Sequence, residues 1–325
     1  MNQNFIDFMN KYSGTKMAVG VSGGVDSMCL LYWLYELGAD IVCLHVNHKL
    51  RKEADIETNY VKSVCENLKV PCHIFYWDED KPSSGLEAAA REARYAMMID
   101  FCHDNGIQYL LTAHQSDDQI ETFLMNLSRG SGLYGLSAMM PETERNGIKI
   151  LRPLLNVSRY EIKKYCDDNN IKYFIDSMNS DEHYTRVKIR KNRHLLNDDL
   201  GIADSRILLA IQNLGRTRQW MDKYISDRVE MVLRSWGALF VDSFLFDEEE
   251  EFRLKFLGEL IHKVGGDNYP VRLNSLKNAL SKLQGDCKFT LGHCTIRRLN
   301  NRILIVPEGN RTSFRKRHEK RKKYA

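Results

Sequence analysis

From Met17 to about Ala113 the chain alternates short apolar runs of strand length with stretches of helical period. The runs are MAVGV (17–21), IVCLHV (41–46), HIFYW (73–77) and YLLTA (109–113). Near-continuous apolar runs of this length predict strands buried on both faces. Between them lie MCLLYWLYELG, ADIETNYVKSVCENL and LEAAAREARYAMMIDFC, which read as helices. In the last of these Leu86, Ala90, Ala93, Met97 and Phe101 fall on one helical face, the apolar stripe, while Glu87, Arg91 and Arg94 fall on another. The alternation predicts βαβ units and an α/β fold with a doubly wound, mostly parallel sheet.

A fifth run, IKILRPLL (148–155), is followed by a helix from about Ser158, whose hydroxyl can cap Glu161 in S-x-x-E form. Residues 1–200 are expected to form the α/β domain and 201–236 a helical connecting segment. Residues 237–325 are expected to form a small α+β domain. There an acidic run, 247–251, precedes an amphipathic helix. The segments CKFTL, CTIRRL and RILIV, separated by Gly-His and Asn-Asn, predict short antiparallel strands.

Composition narrows the class. The chain has 325 residues, 43% hydrophobic and 28% charged, enough for about two domains, which excludes a disordered or collagen-like protein. The net charge of +4 is the sum of +7 in residues 311–325 and −3 elsewhere, so the basicity belongs to a tail. That tail reads either as a solvated terminus or as a phosphate-binding arm. The first twenty residues carry no basic start followed by an apolar region, and no apolar stretch is long enough to span a bilayer, so a cytoplasmic protein without a membrane partner is expected. Eight cysteines include no C-x-x-C pair and sit mostly in apolar stretches, which predicts reduced packing residues rather than a zinc or iron–sulfur site.

The strongest local signal is Ser22, Gly23, Gly24, Val25, Asp26 and Ser27, placed between the first strand and the first helix. Two glycines admit a close ligand, the serine hydroxyls can donate, and a helix N-terminus supplies free N–H groups and positive potential: a phosphate cradle. Neither a Walker A loop nor a G-x-G-x-x-G fingerprint is present. Two further polar motifs, HVNHKLR (45–51) and HQSDDQIET (114–122), follow the second and fourth strands, on the rim where open parallel sheets bind ligands. Asp117, Asp118 and Glu121 share a helix face and call for a metal or an ammonium group. Downstream, residues 129–136 are glycine-punctuated and predict a mobile loop, and five of the eight residues 186–193 are basic, a tract suited to phosphates.

S-G-G-x-D-S resembles the signature of the N-type ATP pyrophosphatase, or PP-loop, superfamily. The resemblance implies an adenine nucleotide alpha hydrolase-like fold, cleavage of ATP between its α and β phosphates, and Mg²⁺ held by Asp26. SGGVDS, HVNHKLR, LEAAAREARY, TAHQSDDQIETFLMNLSRGSGLYGLSAM, ILRPLL and the D-S-x-N…Y-x-R-x-x-I-R stretch together resemble the tRNA(Ile)-lysidine synthase family over residues 17–193. This implies adenylation of the wobble cytidine of a CAU-anticodon isoleucine tRNA, followed by attack of L-lysine. By motif matching it places ATP on residues 22–27 with Arg94 and His114, and lysine on Asp118, Glu121 and Arg186. Asp26, Asp118, Glu121 and Arg186 are thus the expected catalytic set. The family usually has Ser where Met178 stands and Asn where Val187 stands. Resemblance beyond residue 200 is weak, a tRNA-gripping role there is implied, and a homodimer is left open.

Rival readings are a tRNA 2-thiolation enzyme of the same superfamily, which would need a C-x-x-C pair or catalytic cysteine, and a small-molecule ATP ligase, which would not use the SDDQ…ET block. A non-catalytic RNA-binding module on a decayed ATPase is the third, and intact Asp26, Ser27 and Asp118 speak against decay. If the tail meets tRNA, deleting residues 311–325 weakens binding and lowers the slope of log affinity against log salt, by up to about one unit per basic residue engaged. An unchanged slope in a salt titration would make the tail a bystander.

Overall fold

The structure is a computed structural model that describes residues 1–49, 54–78, 82, 85–174, 185–266 and 271–309. It forms two compact units, Met1–Gly215 and Arg216–Ala325.

The first unit opens with α1 (Gln3–Met9) and a 3-10 turn. Strand and helix then alternate: β1 (Met17–Gly20), α2 (Val25–Glu36), β2 (Ile41–Asn47), α3 (Ala54–Leu68), β3 (Cys72–Tyr76), α4 (Leu86–Asp104), β4 (Tyr109–Leu111) and α5 (Ser116–Ser128). A short α6 (Leu133–Leu136), the hairpin β5 (Glu142–Arg145) and β6 (Ile148–Leu151), and helices α7 (Arg159–Asp168), α8 (Thr185–Asn192) and α9 (His194–Asp198) follow. The unit boundary falls inside α10 (Asp204–Val232).

The sheet order is β3-β2-β1-β4-β6-β5, parallel except for β5 at the edge. Strand alternation divides the apolar runs between two cores. Val19, Cys43, Leu111 and Leu151 face α2, α3 and α7, with Met28, Leu31, Val61 and Ile162. Ala18, Leu44, Leu110 and Ile150 face α4, with Tyr95, Met98, Ile99 and Cys102. Fully burying each such large side chain contributes about 1.5–3 kcal/mol, so the two-sided burial is what fixes the sheet between its helix layers.

One strand was not anticipated and two local expectations change. The hydrophilic strand β5 pairs with β6 through Asn146 and Gly147, both at positive φ (49° and 82°), the geometry of a tight hairpin turn that Asn-Gly favours. On α4 the buried residues are Ala90, Tyr95, Met98, Ile99 and Cys102, so of the expected face Ala90 is buried while Leu86, Ala93, Met97 and Phe101 are only half-buried. The helix faces the sheet with Tyr95, Met98, Ile99 and Cys102, and the adjoining Arg94 lines a cleft. The glycine-punctuated segment is a helical turn, tethered where Asn126 donates to the Gly135 carbonyl at 2.8 Å and Gln119 brackets the Met139 backbone at 2.8 Å on both sides.

The second unit contains β7 (Leu233–Arg234), β8 (Gly237–Val241), α11 (Ser243–Phe246), α12 (Glu250–Gly265), α13 (Leu273–Lys282), β9 (Cys287–Leu291), β10 (Cys294–Leu299) and β11 (Arg302–Pro307). Its antiparallel sheet runs β7-β8-β11-β10-β9. Phe256, Leu257, Leu260 and Ile261 of α12 pack on Ala238, Phe240, Ile296, Ile303 and Ile305. Among the described residues no helix is long and apolar enough to cross a membrane. The tail 311–325 lies outside the described residues.

The tightest approach in this unit is at Gly265, where an added Cβ would sit 1.9 Å from the Gly292 carbonyl oxygen. Gly265→Ala is therefore expected to cost about 3 kcal/mol, an overpacking penalty. Gly215→Ala, at a helical position with nothing within 4 Å, is expected to gain about 0.5–1 kcal/mol. Urea unfolding of the two variants checks the order, and the reverse order would contradict this packing.

Candidate active site

The sheet order reverses between β1 and β4, so the loops leaving these two neighbours diverge and leave a crevice at their carboxyl ends. A cleft of about 380 Å³ occupies it, lined among others by Ser22, Gly24, Asp26, Ser27, Arg94 and His114. Strand spacing, not sequence proximity, brings these motifs together.

The loop after β1 is held in one shape by its own residues. The Ser22 N–H donates to Ser27 Oγ at 3.1 Å, and Ser27 Oγ donates to the Gly24 carbonyl at 2.9 Å. Gly23 has φ +89°, a left-handed conformation, and the Phe174 N–H donates to its carbonyl at 3.0 Å. Gly24 caps α2 with no side-chain bond, so the first-turn N–H groups of that helix lack an intrahelical acceptor, and Gly24, Asp26 and Ser27 line the cleft. His45 braces this arrangement from below. Its Nδ1 donates to the Val21 carbonyl at 2.8 Å and its Nε2 lies 3.0 Å from Thr58 Oγ1, and burial lowers its pKa. His45 is therefore a neutral structural brace. Leu44, Val46 and Met98 form an apolar wall of the same cleft.

The opposite rim comes from β4 and α5. His114 Nδ1 lies 3.0 Å from Thr112 Oγ1. Burial, then the charges of Arg91, Arg152, Arg94 and Arg186, push its pKa down to about 3, so it is a neutral hydrogen-bonding group. Asp118 Oδ2 accepts from the Gln115 N–H at 3.0 Å, closing a capping box at the start of α5. Burial raises the Asp118 pKa, against the pull of Arg186 and Arg190. Asp26 is pushed up to about 6 by burial and by Asp118, and its buried Oδ1 has no hydrogen-bond partner among the described residues.

Glu121 is fully buried. Its Oε1 accepts from Arg190 Nε at 2.8 Å, and its buried Oε2 has no partner among the described residues. Arg193 lies 3.4 Å from Asp117 and 3.0 Å from Asp204. Arg186 is half-buried on the same helix, close enough for its charge to act on Asp118 and His114. Asp26 and Asp118 are thus coupled across the two rims, whereas Asp118, Glu121 and Arg186 form a cluster beside the cleft and are not among its described lining residues.

Within the basic tract, which its composition suits to phosphates, Arg190 and Arg193 are ion-pair partners of the carboxylates. The successive spacings of four (Arg186 to Arg190) and three (Arg190 to Arg193) are the available signal, since they match the spacing of residues 117, 118 and 121 on α5. Val187, a departure from the family pattern, is the buried residue of α8. Leu50 and Arg51 of the second motif, and residues 175–184 with Asp176, Met178 and Tyr184, lie outside the described residues.

The chain matches the PP-loop domain family over residues 1–196. It is 34% identical over 322 residues to a tRNA(Ile)-lysidine synthase of Wolbachia pipientis wMel, covering 95% of this chain and 74% of that protein. A protein of the same name from Rickettsia bellii is 31% identical over 317 residues, with 94% and 72% covered. Among solved structures, a U34-tRNA thiolase of Methanococcus maripaludis superposes with a TM-score of 0.55 at 16% identity, over 66% of this chain and 78% of that one, which shows a shared fold. With the glycine loop, the rim motifs and relatives matched over nearly its whole length, the chain belongs to the tRNA(Ile)-lysidine synthase family of PP-loop proteins.

Proposed function

We propose that the chain ligates L-lysine to carbon 2 of the wobble cytidine of a CAU-anticodon isoleucine tRNA, at the expense of ATP. In the first step the cytosine carbonyl oxygen attacks the α-phosphorus, the α–β phosphoanhydride breaks, and pyrophosphate leaves. In the second the lysine ε-nitrogen attacks carbon 2, the carbon–oxygen bond breaks, and AMP leaves with that oxygen. Adenylation turns a poor leaving group into a good one, so one hard displacement becomes two easier ones.

ATP is the substrate of the PP-loop cleft. The closed loop of residues 22–27 and the start of α2 offer N–H donors to the phosphates, Arg94 adds positive charge, and the apolar wall of Leu44, Val46 and Met98 suits a purine face. Asp26 fits a magnesium ion, because its buried Oδ1 has no donor among the described residues and its charge is opposed by Asp118. When bound, the ion would neutralise charge gathering on the leaving pyrophosphate.

The observation that carries the lysine reading is the buried Oε2 of Glu121, in a cluster with Asp118 and without a partner among the described residues. A lysine ammonium, with an ordinary pKa of about 10.4, supplies the missing donor and must lose a proton before attack. Carboxylates raised by burial, as Asp118 and Glu121 are, accept that proton more readily than exposed ones. Sulfur transfer on the same adenylate has less support, since no cysteine is among the described residues that line the cleft.

Incubation with ATP, Mg²⁺, labelled lysine and an unmodified CAU-anticodon isoleucine transcript should yield labelled lysidine on nucleoside analysis. No labelled nucleoside and no pyrophosphate would overturn the reading. Asp118→Asn should raise the KM for lysine about 10- to 100-fold, the loss of one charge-assisted contact. Single-turnover pyrophosphate release should change far less, and equal losses would contradict the lysine assignment.

The pH dependence has a defined sign. Asp26 is protonated below about 6 and ionised above it, and only the ionised form attracts a cation. Turnover per ATP encounter, kcat/KM, should therefore fall as pH drops through 6, and raised Mg²⁺ should move the midpoint lower. A midpoint near the ordinary aspartate value of about 4, insensitive to Mg²⁺, would remove Asp26 from this role.

A further inference from the structure

No two cysteines form a C-x-x-C pair, yet three of them converge in space. Cys43 lies in β2, Cys72 is its register partner in β3, and Cys65 comes from the last turns of α3. Their sulfur atoms all lie within 4.8 Å of one another. Cys43 and Cys65 are fully buried and Cys72 is half-buried. The backbone fixes the convergence: the Cys43 N–H donates to the Pro71 carbonyl at 2.8 Å, and the Val70 N–H donates to the Cys65 carbonyl at 2.9 Å. The turn from α3 to β3 is thus tied to both other elements.

We propose that Cys43, Cys65 and Cys72 form a three-thiolate site for a closed-shell thiophilic cation, Cu⁺ or Zn²⁺. The donor set decides the class. Three sulfurs, with no histidine or carboxylate joining their group among the described residues, favour soft ions over Mg²⁺, Ca²⁺ or Mn²⁺. Sulfur ligands lie about 2.3 Å from zinc, so three around one ion are roughly 4 Å apart, and the cluster closes on an ion by small side-chain rotations. Three thiolates complete a trigonal Cu⁺ site. Zn²⁺ would take a fourth ligand from solvent at the half-exposed Cys72 side.

Loading releases the thiol protons still bound. None of the three lines the ATP cleft, so this site is separate from the chemistry described above. It does lie in the elements that support the glycine loop. His45, two residues beyond Cys43, holds the Val21 carbonyl, and an added Cβ at Gly23 would touch Val61 of α3 at 3.5 Å. A bound ion ties β2, α3 and β3 together and so stabilises the native unit against unfolding.

The test uses the full-length reduced protein under anaerobic conditions. It is titrated with Cu⁺ and, separately, with Zn²⁺, each against a chromophoric chelator, and the loaded protein is examined by X-ray absorption. Expected are about one equivalent of at least one ion bound below about 1 μM, a shell of three sulfurs, and a raised unfolding temperature. Which ion binds identifies the cation. Cys72→Ser should abolish the stoichiometric binding, whereas Cys287→Ser, outside the cluster, should leave it intact. Affinity weaker than about 10 μM for both ions, retained binding in Cys72→Ser, or fewer than three sulfurs in the wild-type shell would each overturn the proposal. The absorption measurement decides even if the serine variant folds poorly.

Discussion

Asp26 and Asp118 are like charges buried against each other, and that conflict organises the site. Burial and the neighbouring carboxylate move Asp26 from 3.8 to about 6. At about 1.4 kcal/mol per pKa unit, that is roughly 3 kcal/mol set against its ionised form. An exposed ion pair returns at most about 1 kcal/mol, so surface cations could not offset it. The chain instead aims Arg190 of α8 at Glu121 and Arg193, just past that helix, at Asp117, and among the described residues still leaves Asp26 Oδ1 and Glu121 Oε2 without a donor. Such a deficit is relieved by cations from outside, and the proposed chemistry brings two of them: a metal ion on ATP and the ammonium of lysine.

The other wall has the opposite sign. Arg94 lines the cleft beside the helix start, and the summed fields of Arg91, Arg152, Arg94 and Arg186 reinforce burial in keeping His114 neutral. The fold sets these walls side by side by a simple device. β1 feeds the glycine loop and β4 feeds the carboxylate helix, and the two strands are hydrogen-bonded neighbours about 4.8 Å apart. A polyanion and an amine can therefore be held next to each other while their counter-charges stay on different loops.

Much of this was legible in sequence where local rules dominate. The apolar runs became the parallel strands because burial on both faces leaves no alternation to misread. Ser158 and Glu161 formed the expected reciprocal cap, with Ser158 Oγ accepting at 3.2 Å and Glu161 Oε2 accepting at 3.0 Å. What was not legible depended on partners far along the chain. The buried face of α4 is not legible in its period alone, because Tyr95, Met98, Ile99 and Cys102 find their partners on β1, β2, β4 and β6. Arg190 and Arg193 looked like phosphate binders because their carboxylates lie some seventy residues earlier. β5 carries the residues ETER, whose strand character comes from pairing with β6 and from the Asn146-Gly147 turn rather than from hydrophobicity. The three clustered thiols come from two strands and a helix, so no spacing rule could reveal them.

The same ion pair also bears on why lysine, and not arginine, would be the acceptor. A guanidinium reaches its best energy by gripping both oxygens of one carboxylate in a planar fork, whereas an ammonium is a compact point charge satisfied by single oxygens from several groups. Among the described residues, Arg190 already occupies Oε1 of Glu121, and Oε2 is the oxygen without a partner. Asp118 has committed Oδ2 to the Gln115 backbone, which also leaves it one oxygen to share. Two half-occupied carboxylates suit a tetrahedral donor and deny a fork its matched pair. On the lysine reading, the arginines that neutralise the cluster therefore also shape it against a substrate of their own kind.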